Sequence, residues 1–169
     1  MRPFDAAAFR RVLGHYPTGV CVVTAMTDDG PTGMVVGSFT SASLEPPLVA
    51  FLPDRRSTTW SRIEGVGRFC VNILASEQHA VCDALAKRGG DKFRGISHRL
   101  SANGSPILDS VVAWIDCEVQ AVHDAGDHLF VLGRVIDLEV EQPQSPLIFF
   151  QGGYGGFLGI VREATAPVR

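Results

Sequence analysis

Four cysteines, no CxxC pair and no short Cys/His cluster leave this chain without the ligand spacing of a zinc site. Cys21, Cys70, Cys82 and Cys117 each lie inside an apolar or amphipathic run, as buried free thiols in a reducing cytosol would. Fifteen lysines and arginines against 18 acids give a net charge of −3. Acids and bases are interspersed, so no basic block suggests a nucleic-acid groove and no acidic tail suggests a charge-driven partner. Residues 142–161 carry no charge, but five glycines, two prolines and three glutamines interrupt them, which argues against a spanning helix. Arg2 leads into Phe4-Asp5 with no apolar run behind it, so no signal peptide is expected. The expectation is a soluble, cytoplasmic protein with no membrane or nucleic-acid partner and no metal.

Catalytic signatures are missing as well. There is no GxGxxG for a Rossmann dinucleotide site, no GxxxxGK[ST] for a P-loop, no GxSxG elbow and no HExxH. The five histidines do not cluster. Hydrolytic and metal chemistry lose most of their support.

What is present reads as one domain over residues 1–169, with 46% apolar and 20% charged residues. Asp5 is placed to cap a short helix with Phe9, Val12, Leu13 and Tyr16 on one face and Phe4 at staple spacing, stopped by Gly14 and Pro17. Strands are expected at 20–26, 32–39, 48–52 and 68–74, with Asp28-Asp29-Gly30-Pro31 as a turn. Helices are expected from Ser57 to about Glu64 and from Ser76 to Lys87, the latter closed by Gly89-Gly90. Residues 91–110 read as a long connection. Ala113, Ile115, Cys117, Val119 and Ala121 alternate against Trp114, Asp116, Glu118 and Gln120, a strand with one wet face. After a turn at 124–127, His128 to Val140 runs back, and Leu147 to Phe150 is the last strand before QGGYGGF. Some seven strands with few helices predict a mainly β, antiparallel barrel.

The best anion site is Arg55-Arg56-Ser57-Thr58-Thr59-Trp60, two guanidinium groups before a helix-capping serine. Free N–H groups, hydroxyls and an arginine would suit a phosphate, although a well-capped surface helix carries the same residues. Gly33 to Phe39 is a strand ending in small residues, which would let a flat ring approach the backbone; a bulge or barrel corner has the same look. His128, after Gly126-Asp127, could donate to a phosphate or carboxamide, or stand exposed on its turn. Lys92 beside Phe93 offers a cation next to an aromatic, and Tyr154 among four glycines could stack on a planar ligand or anchor the tail.

In order, these segments resemble the short flavin reductases with the FMN-binding split-barrel fold, reductase components of two-component flavin-dependent monooxygenases. The resemblance runs from about Phe9 to Phe157. It takes in Pro17-Thr18-Gly19-Val20, Gly33 to Phe39, Ser43 to Leu48 and Arg68 to Leu74, then Asp91-Lys92-Phe93, Gly126-Asp127-His128 and Gly152-Gly153-Tyr154. It implies an antiparallel Greek-key split β-barrel with a few short flanking helices, and a homodimer. The implied activity is NAD(P)H:flavin oxidoreductase, reducing FMN or FAD by hydride transfer from NADH or NADPH and supplying a separate oxygenase. The backbone of Val35, Val36, Gly37 and Ser38 would hold the isoalloxazine edge, with Ser38 adding its hydroxyl. Phe51, Leu52 and Pro53 would flank the ring, and Arg55, Ser57 and Thr58 would take the ribityl phosphate. Lys92 and Phe93 would be further flavin contacts, while His128 and Tyr154 would meet the nicotinamide nucleotide, His128 at the reacting end. Val35 and Gly37 stand where the family often has Thr and Ser or Ala, and Gln151 where some members have arginine. Two other readings are a split-barrel oxidase that retains its flavin and a non-catalytic flavin- or haem-binding sensor.

Overall fold

A computed structural model describes residues 5–87 and 92–159. The expectations placed on Phe4, Gly89-Gly90 and Asp91 lie outside the described residues.

In chain order the elements are α1 (Ala6–Leu13), β1 (Thr18–Gly19), β2 (Cys21–Thr27), β3 (Gly30–Val36), β4 (Thr40–Ser43) and β5 (Leu48–Phe51). Then come α2 (Thr58–Val66), β6 (Arg68–Ile73), a 3₁₀ turn (Ser76–Gln78), α3 (His79–Ala86), β7 (His98–Leu100) and β8 (Pro106–Leu108). The chain continues through β9 (Ala113–Ala125), β10 (His128–Val140), β11 (Ile148–Phe150) and β12 (Gly153–Gly155). The main sheet has seven strands in the order β3-β2-β6-β9-β10-β5-β4, every neighbouring pair antiparallel. Two smaller sheets are β1-β11-β12 and the hairpin β7-β8.

Connectivity forces the large sheet to curl. Lying flat, its two end strands β3 and β4 would stand about 29 Å apart. Only residues 37–39 join them, and that link spans at most about 15 Å. The sheet is nevertheless open, because β3 and β4 do not pair among the described residues. The expected mainly β fold with few helices is present, but hydrogen bonding does not close a barrel.

Strand alternation divides the buried side chains between two faces. Cys21, Val23, Val49, Phe51, Phe69, Val71, Cys117 and Val131 cluster on one face with Trp60 and Ile63 of α2. Val20, Val22, Cys70 and Trp114 cluster on the other with Cys82 and Leu85 of α3 and Ile107 and Leu108 of β8. Burial of both faces explains why the run through β2 is nearly all apolar. It also corrects the wet face expected on β9: Trp114 and Asp116 are buried, and exposure begins only at Glu118.

The cover over that second face is the hairpin β7-β8, inside the segment expected to be a plain connection. It is tied down by polar groups. Asn72, fully buried, donates from Nδ2 to Thr24 Oγ1 at 3.0 Å and accepts from Leu108 N at 2.8 Å, while Thr24 donates to the Pro106 carbonyl. The third helix is likewise split into a 3₁₀ turn and α3, with Ala75 N donating to Gln78 Oε1 at 3.0 Å across the turn.

Candidate functional site

Along the outer edge of β3 runs an open cleft of about 1210 Å³. β3 is an end strand, and among the described residues its outer N–H and C=O groups pair with no other strand. Val35, Val36, Gly37 and Ser38 form this wall, and Leu52 and Pro53 follow β5 beside it. Ser38 fixes the junction: its Oγ accepts from Leu52 N at 2.9 Å and donates back to Leu52 O at 3.4 Å. Gly37 has little room, since a Cβ there would lie 2.9 Å from Thr18 Oγ1.

The N-terminal end of α2 supplies the next wall. Ser57 caps the helix, accepting from Trp60 N at 3.1 Å, and Gly67 ends it at φ 75°. Thr58, Thr59, Arg56 and Arg62 line the cleft beside Ser57. The guanidinium groups are only lightly engaged. Arg56 stands 3.4 Å from Asp54, and Arg62 stands 3.4 Å from Asp29, with a bond to Thr27 Oγ1 at 3.0 Å. Such exposed pairs stabilise little.

Lys92 and His128 complete the lining, together with Leu85 and Ala86 at the end of α3. Burial holds the Lys92 ammonium below its usual pKa range, and Nζ donates to the Leu85 carbonyl at 3.3 Å. His128 Nδ1 lies 2.7 Å from Asp127 Oδ1. This bond holds the Asp127 carboxyl below the usual range, and backbone and side-chain bonds from Arg56 do the same for Asp54.

Ten of the residues selected from sequence therefore share one cleft: Val35, Val36, Gly37, Ser38, Leu52, Pro53, Ser57, Thr58, Lys92 and His128. Four have side chains elsewhere. Phe51 is fully buried between Trp60 and Phe69, each ring 5.4 Å away and edge-on. Phe93 packs in the other cluster, against the space left by Gly33. Arg55 turns to Asp124 at 2.7 Å. Tyr154 lines a separate apolar groove of about 420 Å³ with Pro17, Ile148 and Phe150, its hydroxyl 2.9 Å from Cys82 Sγ.

Sequence reading had Met34 and Thr59 within its candidate segments and missed Thr32, Asp54 and Arg62 as cleft residues. Helical spacing carried a signal for Arg62. Arg62 follows Thr59 by three residues, so the two are neighbours on the surface of α2. The cysteines are inert by contrast: all four are free and buried, and burial pushes the thiols of Cys21 and Cys117 up to about 12. Among the described residues no group of three or more His, Cys, Asp or Glu side chains is arranged to hold a metal. No helix among them is long and apolar enough to cross a membrane.

The cleft thus joins an open sheet edge, a capped helix end and lightly engaged arginines, and similarity to known proteins specifies the class. Residues 13–157 match the family described as a flavin reductase like domain, and the chain belongs to that family of oxidoreductases. A flavin reductase of Pseudomonas putida is 59% identical over 157 residues, covering 92% of each chain. Among solved structures, a nitrilotriacetate monooxygenase component B homologue from Mycobacterium thermoresistibile matches with a TM-score of 0.88 and 45% identity. That match covers 98% of this chain and 92% of the other. The Streptomyces globisporus NADH:FAD oxidoreductase SgcE6, solved with NAD and FAD fragments, matches with a TM-score of 0.87 and 31% identity, over 94% of this chain and 96% of its own.

Proposed function

We propose that this chain is an NAD(P)H:flavin oxidoreductase that reduces FMN or FAD in the cleft and releases it to a separate oxygenase. The observation that carries the reading is the edge of β3 ending in Val35 to Ser38, unpaired among the described residues and set in one cleft with the N-terminus of α2. Backbone N–H and C=O groups on such an edge suit the polar rim of a flat ring, which needs no particular side chain. Ser57, Thr58, Arg56 and Arg62 suit a phosphate, and His128 and Lys92 a second anionic group. At about 1210 Å³ the cleft exceeds the space one drug-sized ligand fills, as two stacked nucleotides require.

When bound, the flavin supplies the redox chemistry, taking a hydride from the nicotinamide. The chain's own work is binding, orientation and exclusion of water. Ser38, pinned to Leu52, keeps the strand wall in place. The β3 edge and the α2 end fix where ring and phosphate lie. No side chain needs to exchange a proton for this transfer, in keeping with the absence of a nucleophile–base pair among the described lining residues. Release of the reduced product to an oxygenase is supported by the component B name of the M. thermoresistibile relative.

The working form is a homodimer in the cytoplasm. No residue of α1 is buried, and its Val12 and Leu13 stand 66% and 52% exposed, an apolar face suited to a second copy. Four free thiols fit a reducing compartment.

The test is NADH and NADPH oxidation by the purified protein with FMN, FAD or no flavin added. Turnover that requires added flavin is expected, and its ranking identifies the preferred flavin. No turnover with either flavin and either nucleotide refutes the reading. Light scattering tests the dimer, which a monomeric mass would exclude.

A further inference from the structure

We propose that Asp127 is a positioning residue: it fixes the tautomer of His128, so that the imidazole offers a donor to a phosphate of the nicotinamide nucleotide only when protonated. The inference rests on the nucleotide-binding reading above and adds a pH control to it.

Both side chains stand on held backbone. Gly126-Asp127 is a two-residue loop between the paired residues Ala125 and His128, and Gly126 alone of the two has positive φ, at 72°. The segment after β5 is zipped against it: Arg55 N donates to Asp127 O and Leu129 N to Pro53 O, both at 3.0 Å, around the Asp54–His128 bridge. His128 Nδ1 lies 2.7 Å from Asp127 Oδ1, and Nε2 has no partner among the described residues.

The chemistry follows from which group can donate. An ionised carboxylate has no proton to give, so Nδ1 carries the hydrogen of this bond. The neutral ring then holds a lone pair on Nε2, which repels an anion. Protonation turns Nε2 into a charged donor. The charged groups that act on the ring are Asp127 on its own turn and Asp54 with its partner Arg56, and Lys92 lines the same cleft. Nucleotide binding should therefore weaken as pH rises through the His128 titration, by about tenfold per unit when one proton is linked.

Two variants separate charge from tautomer. Asp127→Asn keeps an acceptor for Nδ1–H but removes the charge, so the loss of binding moves to lower pH. Asp127→Ala frees the ring to carry its neutral proton on Nε2, so the pH dependence flattens. Asp127 is exposed in a turn, with 87% of its side chain accessible, so both variants are expected to fold.

The experiment is calorimetric titration of the full chain with NAD+ and NADP+ across the range where histidine titrates, paired with ring-nitrogen NMR of His128 without nucleotide. Expected are affinity that falls with pH in the wild type, an earlier fall in Asp127→Asn, a flattened profile in Asp127→Ala, and a neutral ring protonated at Nδ1. A neutral ring protonated at Nε2, a flat wild-type profile, or affinity rising with pH overturns the proposal. If neither nucleotide binds at any pH, the nucleotide reading fails and takes this proposal with it. The NMR result separates the cases, because the tautomer is read with no ligand present.

Discussion

Two helices of nearly equal length, α1 and α2, meet opposite fates. Each begins on a short polar cap, Asp5 accepting from Ala7 N at 2.9 Å and Ser57 from Trp60 N at 3.1 Å. Each carries an apolar face at helical spacing. α2 drives Trp60 and Ile63 into the core at 1% and 0% exposure, whereas α1 buries nothing. An amphipathic pattern thus says which face a helix will hide and leaves open what will hide it. For α2 the cover is this chain's own sheet; for α1 we assign it to a second copy. The largest effect that would break this contrast is in α2. Trp60→Ala should cost about 3–5 kcal/mol of unfolding free energy in a denaturant titration. A cost near zero would mean that α2 is as dispensable to the core as α1.

A smaller effect tests the same core from the opposite wall. Gly133 of β10 leaves the space that the Phe69 ring fills, and a Cβ there would lie 2.5 Å from Phe69 Cζ. Phe69 in turn packs edge-on against Phe51, which packs edge-on against Trp60. Neither ring can move without disturbing the α2 contact. Gly133→Ala should therefore destabilise by about 1–3 kcal/mol through overpacking, though alanine suits a strand better than glycine does. If the thermal midpoint stays put or rises, the packing around Phe69 is looser than these distances indicate.

Much of the fold was legible because its signals are local. The β-branched run of β2, the alternation along β9, the turn before His128 and the Ser57 cap each declare themselves within a dozen residues. What failed depends on contacts far apart in sequence. Asp116 looked solvent-facing because polar residues alternate there, but the hairpin β7-β8 covers it, and three-residue strands leave no periodic trace. In the site, adjacent residues were confused for a similar reason. Arg55 and Arg56 are alike in sequence, yet Asp124 on β9 claims Arg55 and leaves Arg56 to the cleft. Phe51 and Leu52 part by strand alternation, which the sequence did contain: Phe51 shares the core face with Val49. Phe93 packs beside Gly33, a contact across sixty residues that no local pattern announces.

Asp116 also offers a pH test of the face that α2 does not cover. Its carboxyl is raised above the ordinary 3.8, by burial first and with help from Asp137 opposite it, although bonds from Ser101 and Asn103 pull the other way. Asn103 N reaches one oxygen at 3.3 Å and the other has no partner. Since the folded value lies above the unfolded one, both states are protonated at lower pH and no penalty applies. As pH rises from 3.8 towards the folded value, the unfolded chain gives up its proton and the native chain does not, so stability falls across that window and then levels off. The slope is at most about 1.4 kcal/mol per pH unit. Asp116→Asn should abolish this contribution, gaining on the wild type above the window and not below it. Parallel stability curves for the two proteins would show that Asp116 ionises as freely in the fold as out of it.

The smallest effect on the single chain is expected in α1, and there the comparison of the two helices can be made sharpest. Leu13 is 52% exposed, so Leu13→Ala should change the unfolding free energy of the isolated chain by no more than about 0.5 kcal/mol. Burial by a second copy changes the form of the answer more than its size. Dimer formation stabilises by mass action, so the wild-type midpoint should climb with protein concentration, and the Leu13→Ala midpoint should climb less. At the lowest concentrations the two should converge, since there each chain stands alone. A wild-type midpoint independent of concentration would leave the apolar face of α1 open to water, and the likeness of the two helices would then end at their caps.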